Sequence, residues 1–180
     1  MTIVDVDPFQ VKASPSTTWG QEADRWNPWQ TLVEKYPHVK LITDYELPDG
    51  IWGYAYGNRI WICKKLAPIK RECTLAHELT HFELNSFVPP KAPGHLEAER
   101  VVEEICARRL IPLRALAEVM LHRPDAVMRI WAYLLRVELG TLTVRLLTLT
   151  PVERAALGEV RGGPLPTMPH YEPYDGDRQE

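Results

Sequence analysis

The sequence predicts an α+β fold, in which a small β-sheet packs against helices and a helical region follows. Two strand-like runs flank Gly57-Asn58, a dipeptide typical of a two-residue hairpin turn. Two long helical runs follow between residues 69 and 111, and shorter helical runs continue to residue 159. The chain has 180 residues, which fits one domain of about 100–200 residues.

The first predicted elements are a short helix and three strands. Asn27 followed by Pro28 is typical of a helix N-cap and first turn. Pro37 ends this helix, because proline has no N–H for the helical hydrogen bonds. The runs that follow are rich in β-branched and aromatic residues, which favour strands. We predict these strands at 39–43, 51–56 and 59–63.

Helices make up the rest of the predicted fold. Apolar residues between 69 and 87 predict a buried helix, and those between 95 and 111 predict an amphipathic one. Prolines in 88–94 break the chain between the two helices. Further helical runs lie at 113–121, 125–139, 141–149 and 151–159.

Two of these runs, 125–139 and 141–149, have the outline of a helix-turn-helix, with Gly140 in the turn. Arg145 is the one basic residue of the second run, so the pattern gives little support to the reading of DNA bases. We therefore interpret the pair as a module for packing or for docking a partner. The predicted division of the chain is an extension at 1–27, a core at 28–112, a helical subdomain at 113–160 and a flexible tail at 161–180.

Composition and charge exclude several classes of protein. Hydrophobic residues make up 45 % of the chain and charged residues 25 %, which excludes a wholly disordered protein. The net charge of −3 gives no electrostatic case for binding nucleic acid or an anionic membrane. No apolar run reaches the roughly 18 residues of a membrane span. The N-terminus lacks the features of a signal peptide, and Cys63, Cys73 and Cys106 form no C-x-x-C pair, so we expect a cytoplasmic protein.

The strongest functional signal is the run His77-Glu78-Leu79-Thr80-His81, which matches the motif H-E-x-x-H. The composition predicts roughly 0.02 matches by chance. Residues four apart share one face of a helix, so both imidazoles can bind one zinc ion. Glu78 lies about 100° round the helix, where it can take a proton from a metal-bound water whose pKa falls to about 7.

The alternative interpretation of this run is a helix with two surface histidines beside a salt-bridging glutamate. Its context argues against that interpretation, because the helix follows a small predicted sheet and carries the apolar residues Leu75, Ala76 and Leu79. A buried helix face of this kind is where a metal site is expected.

A catalytic zinc site needs a third protein ligand and keeps one position open. Leu84 and Phe87 occupy the places where an extended motif would have glycine and a third histidine, so that motif is excluded. The next helix offers four glutamates, Glu97, Glu99, Glu103 and Glu104. Glu99 and Glu103 are four apart and border the apolar stripe, so spacing alone leaves these two tied.

Three runs of residues carry a resemblance to a known family. They are Arg71-Glu72-Cys73-Thr74-Leu75-Ala76-His77-Glu78-Leu79-Thr80-His81, the preceding Trp52-Gly53-Tyr54, and the later Ala107-Arg108-Arg109-Leu110-Ile111-Pro112. Together they resemble the ImmA/IrrE-type metallopeptidases over roughly residues 29–149. The resemblance implies a zincin-like core followed by a helical region. In that family the third zinc ligand lies thirteen residues before the proline that closes the second helix, a position that is Glu99 in this chain.

The resemblance also implies a function and a partner. The family's enzymes are zinc-dependent endopeptidases, and their typical substrate is a helix-turn-helix transcriptional repressor, cleaved in phage or mobile-element immunity or in stress responses. By this likeness, His77, His81 and Glu99 hold Zn²⁺ and Glu78 is the general base. The chain departs from the family at Glu103, where an asparagine or aspartate is usual, and at Arg108-Arg109, which replace smaller or apolar residues.

Two other functions remain open at this stage. One is a regulatory module that keeps the metal but does not cleave its partner. The other is a DNA-binding regulator with a structural metal, which a fourth ligand such as Cys73 would favour.

Several residues near the motif have less specific roles. We expect Cys73 to be a core thiol, and Tyr54 and Tyr56 to pack on a strand rather than donate a hydrogen bond to an oxyanion. The remaining histidines lack a second histidine at helical ligand spacing, and we interpret them as surface or loop residues. They are His38, His95, His122 and His170.

Overall fold

The structure is a computed structural model that describes residues 25–86, 88 and 92–168. Most of the predicted N-terminal extension and the last twelve residues of the predicted tail lie outside the described residues, and so does His170. Among the described residues there are seven helices and three strands, and the predicted α+β class is confirmed.

The elements follow the predicted order. The first part of the chain contains α1 (Pro28–Lys35), β1 (Lys40–Ile42), β2 (Gly53–Tyr56), β3 (Arg59–Ile62), α2 (Pro68–Leu84) and α3 (His95–Leu110). The second part contains α4 (Leu113–His122), α5 (Met128–Leu134), α6 (Leu139–Leu147) and α7 (Pro151–Arg161). None of the helices in the described residues has both the length and the apolar character that crossing a membrane requires.

The three strands form a mixed sheet in the order β1-β3-β2. Strand β1 runs parallel to β3, and β2 runs antiparallel to β3 through the predicted two-residue turn, where Gly57 has a φ of 57°. One face of the sheet packs on α2. Side chains alternate along a strand, so Tyr54 and Tyr56 lie on the other face, where Tyr54 contacts Trp61.

Helix α2 lies between two apolar clusters. Leu75 and Leu79 are fully buried against the sheet, together with Ile60 and Ile62 of β3. On another side of α2, a second cluster includes residues of α2 and of the helices from α3 to α7, with Trp131 fully buried in it. The helix that carries the H-E-x-x-H run is therefore held rigidly from two sides, as a precise site requires.

The turn between α5 and α6 differs from its prediction. Helix α5 ends at Leu134, and the turn is made with Arg136 at a φ of 54°, whereas Gly140 lies inside α6. The Val137 N–H donates to the Ala132 carbonyl at 3.0 Å, a hydrogen bond typical of a helix C-terminus. Helix α5 therefore ends about one turn earlier than the prediction that placed the turn at Gly140. Helix α5 is therefore shorter than the predicted 125–139, and α6 keeps the predicted length but begins two residues before the predicted 141–149.

Arg145 of α6 is turned into the fold and is only 2 % exposed. Its Nε donates to the Ile111 carbonyl at 3.0 Å, and its guanidinium pairs with Glu153 of α7 at 2.7 Å. The side chain that a recognition helix would offer to DNA is thus used to join α6 and α7 to the end of α3. This geometry agrees with the packing interpretation of the pair.

Candidate metal centre

Helix α2 places the two histidines of the motif on one face. Their Nε2 atoms are 3.1 Å apart and their ring centroids 4.7 Å apart. His81 is buried, while His77 is partly open, with its side chain 23 % exposed. The helical spacing of four residues accounts for this arrangement, as the sequence predicts.

Helix α3 brings Glu99 to these histidines. Its Oε2 lies 3.2 Å from Nε2 of His77, and its Oε1 lies 3.1 Å from Nε2 of His81. Glu99 is only 6 % exposed. One donor atom from each residue lies within 4.8 Å of the others, and in the part of the chain that the structure describes this is the one such group of three or more His, Cys, Asp or Glu.

The structure separates the two glutamates that spacing leaves tied. Glu103 is half-buried and lies outside the group of three, although its charge reaches His77 and contributes to raising that residue's pKa. Glu97 is exposed, and Glu104 pairs with Arg108 at 3.0 Å. Of the four glutamates of α3, Glu99 is the one that meets the histidines.

Cys73 also lies outside the group. It is buried in the second apolar cluster, and burial raises the pKa of its thiol to about 11. The interpretation of Cys73 as a core thiol agrees with this position. All three cysteines are buried and free.

The charges of the group stabilise one another. Burial alone would raise the pKa of Glu99, but hydrogen bonds with His77 and His81 outweigh it and bring the pKa to about 2. Burial lowers the pKa of His77, yet the hydrogen bond to Glu99 and the charge of Glu78 give a net rise. The pocket therefore favours the ionised form of Glu99 and the protonated form of His77.

Glu78 lies beside the group and belongs to a different set of contacts. Its side chain is buried between α2 and β2, and it accepts a hydrogen bond from the Ala55 N–H. Burial raises its pKa, against the opposing effect of His77 and His81. A raised pKa makes this carboxylate a stronger proton acceptor than an exposed one, as a general base must be.

The prediction for His95 is wrong. His95 is neither a surface nor a loop residue: it is the first residue of α3 and is 8 % exposed, with Nδ1 3.7 Å from Oε1 of Glu99. A search for pairs of histidines misses it, because its partner four residues later is a carboxylate. The same spacing rule applied to histidine–glutamate pairs would have found it.

Ser86 is a second residue that sequence reasoning missed. Its Oγ lies 3.2 Å from Nδ1 of His81, on the side of the ring opposite the Nε2 that faces Glu99. Asn85, which ends α2 in the left-handed conformation at a φ of 48°, turns the chain so that Ser86 reaches the histidine. No sequence signal marks this contact in advance.

The fold and this group of side chains define a class of protein, an α+β protein with a candidate His-His-Glu metal site. Residues 38–146 match the family model of the IrrE N-terminal-like domain, Peptidase M78. The match covers more than half of the chain, so the chain belongs to this family, and the resemblance to ImmA/IrrE-type metallopeptidases is confirmed. No curated protein and no solved structure matches the chain.

Proposed function

We propose that this chain is a zinc-dependent endopeptidase in which His77, His81 and Glu99 hold the zinc ion and Glu78 is the general base. The observation that carries the proposal is the convergence of three donor atoms beside a separate buried carboxylate. The two sets of contacts fit two roles, one for binding a metal and one for moving a proton.

The three side chains fit zinc in chemistry and in spacing. Zinc takes histidine nitrogen and carboxylate oxygen at about 2.0–2.2 Å, so two ligands of a tetrahedral ion stand about 3.3 Å apart. The separations of 3.1–3.2 Å among the donor atoms of His77, His81 and Glu99 agree with that spacing. Three protein ligands leave one position open, as catalytic zinc requires.

The proposed chemistry divides between the metal and the chain. A bound zinc ion would supply the Lewis acidity that activates a water molecule and a peptide carbonyl. Glu78 then accepts a proton from the attacking water and delivers it to the leaving amine. Its hydrogen bond from the Ala55 N–H holds the carboxylate in place beside the group.

Strand β2 supports a peptide substrate. It lies at the edge of the sheet, and the Ala55 N–H points to Glu78 instead of pairing with β3. A peptide that pairs with this edge in extended form passes the general base. Family membership supports the finer proposal that the substrate is a helix-turn-helix repressor, and the free cysteines support a cytoplasmic location.

The alternatives receive less support. A non-cleaving metal protein does not require a carboxylate at Glu78, because Glu78 lies outside the group of proposed ligands. A DNA-binding regulator would need basic side chains on α6, and Arg145 is buried there.

Metal stoichiometry tests the metal and base roles. We expect one equivalent of zinc in the wild type and in Glu78→Gln, and loss or strong weakening in His77→Ala and in Glu99→Gln. Glu103→Gln is the matched control for Glu99→Gln, and we expect it to keep the metal. A wild type that binds no zinc when zinc is supplied would overturn the proposal, as would loss of zinc from Glu103→Gln but not from Glu99→Gln.

Co-expression tests the substrate. Candidate repressors are produced with the wild type or with Glu78→Gln, and their length is followed by mass spectrometry. Cleavage by the wild type alone supports the proposal, whereas cleavage by both shows that another protease acts.

A further inference from the structure

His95 supports the metal centre without belonging to it. We propose that His95 is a positioning residue, whose Nδ1–H donates to the Val88 carbonyl and orients the Glu99 carboxylate that it faces. The inference rests on the proposed function, because it requires Glu99 to be a metal ligand.

The contacts of the His95 ring determine where its hydrogen lies. Nδ1 is 3.1 Å from the Val88 carbonyl oxygen and 3.7 Å from Oε1 of Glu99. Both neighbours are acceptors, so Nδ1 carries the hydrogen and donates to Val88 while its positive end faces Glu99. On the other side of the ring, Nε2 is buried and has no hydrogen-bond partner among the described residues. Within the described part of the chain, the polar contacts of the ring are therefore on the Nδ1 side.

The carboxylate of Glu99 has to face two histidines at once. Oε2 faces His77 at 3.2 Å, and Oε1 faces His81 at 3.1 Å. A carboxylate rotates easily about its last torsion angle, and such rotation would remove both oxygens from the donor group. The N–H dipole of His95 lies beside Oε1 in a buried pocket, where electrostatic interactions are strong, and so it favours the orientation that serves both histidines.

The same connection supports a second member of the group. Ser86 Oγ contacts Nδ1 of His81, and the Val88 carbonyl fixes the ring of His95, which in turn faces Glu99. Ser86 and Val88 are two residues apart in the chain. Ser86 and Val88 thus orient two of the three proposed ligands, one directly and one through His95. Loss of such outer contacts weakens metal affinity by about 10–100-fold.

Three substitutions separate the N–H donor from the volume of the ring. His95→Asn places an amide N–H close to the position of Nδ1 and removes the unpartnered Nε2. His95→Gln places its amide farther out, near the position of Nε2, and His95→Leu has no donor. His122→Leu, which removes an exposed histidine from the end of α4, is the control.

The measurement is the zinc Kd by competition with a chelator, with the fold of each variant checked by circular dichroism and thermal unfolding. We expect His95→Leu and His95→Gln to weaken zinc binding by about 10–100-fold. We expect His95→Asn to stay within about threefold of the wild type, and His122→Leu to be unchanged.

Other results would contradict either the inference about His95 or the proposed function. If His95→Gln and His95→Asn bind zinc equally well, the position of the donor has no effect and the inference is wrong, even where His95→Leu does not fold. If the wild type binds zinc and His95→Leu binds it as tightly, the inference fails while the proposed function stands. If the wild type binds no zinc, the proposed function itself fails.

Discussion

Gly53 lies so close to Glu78 that any side chain at its position would displace a neighbouring side chain. A Cβ atom on Gly53 would stand 2.7 Å from both Cγ and Oε1 of Glu78, and 2.6 Å from Cγ2 of Thr74. Two residues further along the same strand, the Ala55 N–H donates to the Glu78 carboxylate. Strand β2 can approach α2 closely enough to hold the carboxylate because residue 53 has no side chain.

Gly53→Ala should therefore destabilise the protein, because the added methyl displaces the side chains of Glu78 and Thr74 or forces β2 away from α2. Overpacking of this kind costs about 1–3 kcal/mol. Gly140→Ala is the matched control, since a Cβ there meets open space in a helix and alanine favours helix by up to about 1 kcal/mol. Urea unfolding of both variants measures the difference. A Gly53→Ala protein as stable as the wild type would show that strand and helix separate at little cost.

The buried thiols give a second prediction. Burial raises the pKa of Cys73 to about 11 and raises that of Cys106 as well, so both stay protonated at pH 8. A thiol reagent should react slowly with the folded protein at pH 8. After unfolding, it should react rapidly with all three cysteines.

Cys73→Ala should also keep its full equivalent of zinc, measured by metal analysis. A loss of zinc in a folded Cys73→Ala protein would contradict the three-ligand site.

The local elements of this fold could be predicted from sequence because their signals are local. Asn27 accepts a hydrogen bond from the Gln30 N–H as an N-cap should, and Gly57 turns the predicted hairpin. The shared face of His77 and His81 follows from helical geometry alone.

The contacts between elements could not be predicted in the same way. Spacing leaves Glu99 and Glu103 tied, since both border the same stripe of α3, and the way α3 crosses α2 is what buries Glu99 against the histidines. The roles of His95 and Ser86 depend on their contacts with Val88 and His81, which no periodicity in the sequence predicts. Sequence predicts which face a residue occupies, and tertiary packing determines what meets that face.

Acid should weaken the contact between α6 and α7. Glu153 accepts hydrogen bonds from Arg145 at 2.7 Å, from the Thr150 N–H at 2.8 Å and from Arg108 at 3.2 Å. These bonds, that of Arg145 first, lower its pKa from 4.5 to about 2. A lowered pKa in the folded state means that the contribution to stability is complete above about pH 4.5 and is lost as the pH falls toward 2.

At neutral pH, Glu153→Gln should be less stable than the wild type. On acidification, the stability of Glu153→Gln should fall less than that of the wild type. Removing the partner of the buried Arg145 costs about 3 kcal/mol. The measurement is the thermal unfolding midpoint between pH 7 and pH 3. Glu159→Gln, at an exposed residue of the same helix, should follow the wild type. Parallel pH profiles for wild type and Glu153→Gln would show that Glu153 is not the acid-sensitive group.

Arg136 occupies a backbone conformation that suits glycine, with a φ of 54° between α5 and α6. A left-handed residue with a side chain costs about 1–2 kcal/mol, so Arg136→Gly should be at least as stable as the wild type. Arg136→Val should be less stable by about 1 kcal/mol or more, since a β-branched side chain resists positive φ. Both substitutions remove the 4.0 Å ion pair between Arg136 and Glu72. The difference in urea unfolding between the two variants therefore measures the effect of the backbone conformation alone. Equal destabilisation by glycine and valine would mean that this ion pair, and not the backbone conformation, decides the energy of the turn.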